Sequence, residues 1–78
     1  MTMTAFVLAK ISPDVGMDIL DEIRENELVE EAYLIYGAFD LIVKVLVKNP
    51  EDLDDFIFNK LRKVSGVLDT ATCICASC

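Results

Sequence analysis

The run "LIVKVLV" at 41–47, bracketed by Asp40 and Lys48, constrains this chain more than any other stretch. Leu41, Val43, Val45 and Val47 alternate with Ile42, Lys44, Leu46 and Lys48. That period of two, carried by β-branched residues, predicts a strand. Because both alternating sets are largely apolar, such a strand needs cover on both faces of its sheet. A chain of 78 residues must supply that cover from few elements. It buries only about 60–65 % of the surface its unfolded form exposes, so its own core is marginal and a second copy is a natural remedy.

The neighbouring segments read as partners for that strand. Residues 4–11, "TAFVLAKI", are apolar on both sets, with Ala5, Val7, Ala9 and Ile11 against Phe6 and Leu8, which predicts a central strand. Residues 28–36, "LVEEAYLIY", predict a second strand whose Glu30 and Glu31 suit a sheet edge, where charge discourages stray pairing. It forms a hairpin with 40–48. The final run from Val67, "VLDTATCICASC", predicts another edge strand. Between strands lie two helical patterns. "SPDVGMDILDEIRENE" begins at Ser12-Pro13-Asp14 and places Val15, Ile19, Leu20 and Ile23 on one stripe, with Asp14 and Asp18 near the positive end of the helix dipole. Asp21, Glu22, Glu25 and Glu27 form a solvated face. "NPEDLDDFIFNKLRKVSG" carries Asn49 as N-cap, Pro50 at the first helical position, Lys60, Arg62 and Lys63 in the last turn, and Gly66 as the stop. Leu53, Phe56, Ile57, Leu61 and Val64 are its buried stripe, and Phe58 falls off it, toward a neighbouring subunit.

The order βαββαβ, without an internal linker, predicts one α+β domain over residues 1–78: a ferredoxin-like sandwich of a four-stranded antiparallel sheet with two helices on one face. The other face is left bare yet apolar. It implies a partner surface, most simply another copy stacked sheet to sheet.

Charge and cysteine content narrow the function. Seven basic against 14 acidic residues leave a formal charge of -7, which repels a phosphate backbone, so direct nucleic-acid binding is not expected. The longest apolar runs fall short of a bilayer span, and "MTMTAFVLAK" has no basic leader, so the expected location is the cytoplasm. Cys73, Cys75 and Cys78 form a C-x-C-x-x-C tail with no histidine to complete a metal site, and they read as reduced, partly buried strand thiols rather than zinc or cluster ligands. No metal or other cofactor is expected. Nucleophilic triads are excluded by the absent histidine, and the spacing of Gly16, Gly37 and Gly66 excludes a phosphate-cradling loop.

What remains is "YGAFD", residues 36–40, with the hydroxyls of Thr70 and Thr72. On spacing alone, Gly37 supplies a backbone conformation other residues avoid, and Asp40 is either a turn cap or a ligand hook.

From "YGAFD" to "TATC" the chain resembles the effector-binding domain of the Lrp/AsnC transcriptional regulators, the RAM domain, in which a G-x-[FYN]-D turn precedes a strand, a helix and "GVxxTxT". Here the first motif is Gly37, Ala38, Phe39 and Asp40, and the second includes Thr70 and Thr72. Family regulators carry a helix-turn-helix domain before this module, whereas this chain begins at its first strand, so the resemblance implies a stand-alone RAM domain. It also implies dimers formed by sheet packing that assemble further, often into tetramers of dimers, with an amino acid or similar small effector bound between dimers. By that likeness Gly37, Ala38, Phe39, Asp40, Thr70 and Thr72 are expected to bind the ligand: turn N–H groups meet its carboxylate, and Asp40 or a threonine takes its ammonium. The expected role is transcriptional regulation of amino-acid metabolism, through a full-length Lrp/AsnC partner and without catalysis. The alternative is a small dimeric α+β barrel lyase or isomerase using Asp40 as acid–base.

Overall fold

Asn49 fixes the start of the second helix as its side chain predicts. Its backbone is extended (φ -159°, ψ 168°) and its Oδ1 accepts a 2.9 Å bond from the Asp52 N–H, with Pro50 at the first helical position. The structure, a computed structural model, describes residues 2–14 and 18–77. Their elements are strand β1 (Met3–Ile11), helix α1 (Asp18–Arg24), β2 (Val29–Leu34), β3 (Leu41–Val47), α2 (Pro50–Asp55) and β4 (Val67–Ile74). Val15 of the first stripe lies outside the described residues, while Ile19, Leu20 and Ile23 are buried as expected.

The second helix is not the single α-helix that its pattern suggests. It widens into a π turn over Phe56–Lys60 and tightens into a 3-10 turn over Leu61–Lys63. The change is visible in the backbone bonds. The Leu61 N–H donates to the carbonyls of both Ile57 and Phe56. Residues five apart therefore stack, which keeps Phe56 and Leu61 on the same buried side where a regular α-helix would rotate them apart. The expected buried stripe is present: Leu53, Phe56, Ile57 and Leu61 are buried, and Val64 packs against them half-buried. Phe58 is exposed, and the Arg62 guanidinium lies 5.5 Å from its ring centroid.

The sheet is antiparallel with order β2-β3-β1-β4, the ferredoxin-like arrangement. Its two central strands are the two that are apolar on both sets. Ala5, Val7 and Ala9 of β1 pair with Val45, Val43 and Leu41 of β3, and all six have no exposed surface. Each valine or leucine buried there stabilises the fold by about 1.5–3 kcal/mol. β2 is an edge, as its glutamates predict, and a bulge between Val29 and Glu31 lets both Glu30 and Glu31 reach Lys44, at 3.4 and 3.7 Å. The hairpin and the final edge strand also form, with narrower limits than the sequence pattern suggests.

The opposite face carries Phe6 and Leu8 of β1, Ile42 and Leu46 of β3, Tyr33 of β2 and Cys73 of β4, in register with one another. No helix of the described residues covers it. None of those helices is long and apolar enough to cross a membrane.

The Asn49 cap gives a direct test of this account. Replacing Asn49 by Ala is expected to cost about 1 kcal/mol, read as a lower urea midpoint at unchanged slope. A change in slope would instead mean that the whole helix had loosened.

Candidate functional site

The connection between β2 and β3 is closed by backbone bonds before any side chain acts. The Ile35 N–H donates to the Asp40 carbonyl, and the Asp40 N–H to the Ala9 carbonyl, both at 2.9 Å. Gly37 sits at φ 135°, in the region that favours glycine, and a Cβ added there would meet nothing within 4 Å. Its requirement is thus one of backbone conformation, not of space. The Asp40 carboxylate completes the closure: Oδ2 accepts a 3.1 Å bond from the Ile11 N–H at the end of β1. Its other oxygen has no partner among the described residues. Asp40 therefore caps the turn and keeps half of its acceptor capacity.

Asp40 lines a cavity of about 440 Å³ together with Ile11, Ser12, Pro13, Leu34, Ile35 and Tyr36. Apart from Asp40 the lining is apolar or uncharged. Ser12 is held in place by a 2.7 Å bond from its N–H to the Gly66 carbonyl, which joins the ends of β1 and β4. The sequence marks the turn but not this wall. The wall forms because the end of β1 pairs with the start of β3, and only strand register could have placed Ile11 and Ser12 beside Asp40. Tyr36, fully exposed, stands at the rim.

Of the six residues expected to bind ligand, Gly37, Ala38, Phe39 and Asp40 lie together in this connection, Phe39 and Asp40 half-buried. Thr70 and Thr72 do not join them within one chain. Thr70 pairs with Ala9 and Thr72 with Val7, on the side of β1 away from β3. Two strand spacings, about 10 Å, separate Thr70 from the start of β3.

The tail differs from the expectation of reduced, partly buried thiols. Cys73 is a free thiol but exposed, Cys75 is disulfide-bonded, and Cys78 lies outside the described residues. No cluster of three or more potential metal ligands occurs among the described residues. On the bare sheet face, the Tyr33 hydroxyl donates to Glu31 Oε1 at 2.9 Å. That bond and the carboxylate's charge raise the Tyr33 pKa above its ordinary 10.0.

Against known proteins, residues 4–77 match the model of the Lrp/AsnC ligand binding domain. The chain belongs to that family. An uncharacterized HTH-type transcriptional regulator of Pyrococcus horikoshii is 34 % identical over 74 residues, covering 91 % of this chain and 49 % of the regulator. The chain thus spans about half the length of such a relative. By contrast, the crystal structure of FFRP-DM1 is matched nearly end to end: 37 % identity, TM-score 0.86, 94 % of this chain and 97 % of that one. The fold is shared further afield with the transcriptional regulator NMB0573 of Neisseria meningitidis, solved as a complex with L-Met. There the identity is 16 %, the TM-score 0.82, and the coverage 96 % of this chain and 50 % of that one.

Proposed function

We propose that this Lrp/AsnC domain binds an amino-acid effector at the Asp40 turn. We further propose that it acts in transcriptional regulation by assembling with itself or with a full-length regulator, not by contacting DNA. One observation carries the reading: a carboxylate with one oxygen committed to the fold and the other free, at the edge of an otherwise uncharged cavity of about 440 Å³. An ammonium can pair with that free oxygen, the apolar wall takes a side chain, and the N–H groups of Gly37, Ala38 and Phe39 are available to a carboxylate. Two or three charge-assisted bonds of about 1.5–3 kcal/mol each, set against the cost of immobilising a small ligand, support micromolar to millimolar binding. Such affinity suits sensing of a metabolite pool. The L-Met complex of NMB0573 supports the ligand class by family likeness.

Assembly enters because a single chain leaves Thr70 and Thr72 across β1 from the turn. Their hydroxyls complete the site only where copies meet. The apolar sheet face supplies the first contact between copies, through Phe6, Leu8, Ile42 and Leu46. The formal charge of -7 favours action through a protein partner over a phosphate backbone. The non-catalytic reading rests on the same geometry, since among the described residues Asp40 is the only carboxylate lining the cavity and is already bonded to a backbone N–H.

Calorimetry against each proteinogenic amino acid, with solution mass measured in parallel, tests both halves. The expected result is an oligomer without ligand, and one or a few amino acids that bind and shift either its mass or its melting temperature. A monomer that binds none of them ends the proposal.

A further inference from the structure

A second cavity, of about 340 Å³, lies on the helix side of the sandwich and shares no lining residue with the Asp40 cavity. Its floor is the core itself: Ile23, Phe56 and Leu61, at 3 %, 1 % and 1 % exposure, reach the cavity from beneath. One wall, from the last turn of α1 onward, presents Glu22 and Glu25. The other, built by the π and 3-10 turns, presents Lys60 and Lys63. Opposite charges on facing walls would be expected to close on each other. They do not: among the described residues the only ion pairs within 4.0 Å are those of Lys44, and none joins these walls.

The π turn helps to hold the walls apart. Its extra residue per turn widens the helix where Asn59 and Lys60 meet the cavity. Asn59 is oriented by a 2.7 Å bond from its Nδ2 to Asp55 Oδ1, which leaves its own Oδ1 as an unused acceptor.

The charges decide what such a groove can take. A simple anion meets two glutamates, and a simple cation meets two lysines. A molecule that carries both an ammonium and a carboxylate beside an apolar body satisfies both walls and covers the floor. The four wall charges sum to zero in a chain whose net charge is -7, so this groove does not repel an electroneutral ligand as it would an anion. We propose that the cleft between α1 and the π turn is a second ligand site, distinct from the Asp40 turn, for an apolar zwitterion the size of an amino acid or a dipeptide.

Backbone amide spectra of the uniformly ¹⁵N-labelled chain, titrated with L-leucine and with the dipeptide leucyl-leucine, test this directly. The expected result is saturable shifts at Ile23, Asn26 and Asn59–Val64 with at least one of the two. Those shifts persist in Asp40→Ala, so failure at the turn and failure here are separable. N-acetyl-leucine and leucine methyl ester, each lacking one charge, are expected to bind at least about tenfold more weakly, consistent with losing one charge-assisted bond. The same weakening is expected in Lys60→Met/Lys63→Met and, separately, in Glu22→Gln/Glu25→Gln, all four positions being surface side chains. The proposal is overturned if those amides stay still with both probes, if the blocked compounds shift them equally, or if either double variant binds like the parent.

Discussion

Phe56→Ala is expected to remove about 3–5 kcal/mol of stability, read as a large fall in the guanidinium midpoint. Phe56 is the largest side chain with almost no exposure, at 1 %, and it sits where α2 passes into the π turn. For a chain of this length, total stability at about 0.05–0.15 kcal/mol per residue comes to roughly 4–12 kcal/mol. One truncation therefore takes from about a quarter of the margin to all of it. The loss has two parts: apolar area returned to water, and a void beneath a turn that has little else to hold it wide. If the π turn exists to keep Phe56 and Leu61 stacked, emptying position 56 should let this segment relax toward a regular α-helix. Guanidinium titration reads the first effect, and amide exchange at Asn59–Leu61 reads the second. Phe56→Leu, which keeps most of the volume, is expected to cost less than half as much. Equal losses for the two variants would mean that packing at this position is not what holds the segment.

The sequence carried most of the fold because the two central strands announce themselves twice. Ala5, Val7 and Ala9, and Leu41, Val43 and Val45, are apolar by alternation, and the sets between them are apolar too, a pattern that strands in the middle of a sheet produce. The Asn49 cap and the edge glutamates are local signals and were equally legible. The π turn was not. A stripe drawn at 3.6 residues per turn reaches Phe56 and Leu61 only at its two opposite margins, and the helix draws them together through one bifurcated bond that no residue type advertises. Half of the candidate site was visible, since a glycine followed three residues later by aspartate marks a turn. The wall from Ile11, Ser12 and Pro13 was hidden, because it depends on which residues of β1 and β3 lie opposite, and a one-residue slip would remove it. The cysteine tail was misjudged for a related reason. Exposure of Cys73 follows from its place on an edge strand's uncovered face, opposite Phe6, which thiol chemistry alone does not predict.

Two substitutions at Asp40 separate its structural role from its proposed binding role. Asp40→Ala removes the acceptor for the Ile11 N–H at a half-buried position, and a bond of this kind to a charged group contributes about 1.5–3 kcal/mol. The variant should melt earlier and lose effector binding together, a result that by itself distinguishes nothing. Asp40→Asn keeps an oxygen for the Ile11 N–H but gives up the negative charge. It should retain most of the parent stability, within about 1 kcal/mol, because the turn needs an acceptor there rather than an ion. Binding is another matter. A ligand ammonium facing a neutral amide loses the charge-assisted part of its bond, which corresponds to about tenfold to a hundredfold in affinity. The Asn variant is therefore the decisive one: near-parental unfolding with effector affinity reduced by that factor. Asp40→Asn that binds like the parent would return Asp40 to the role of a turn cap. The effector would then have to take its contacts from backbone N–H groups and from the threonines of neighbouring copies.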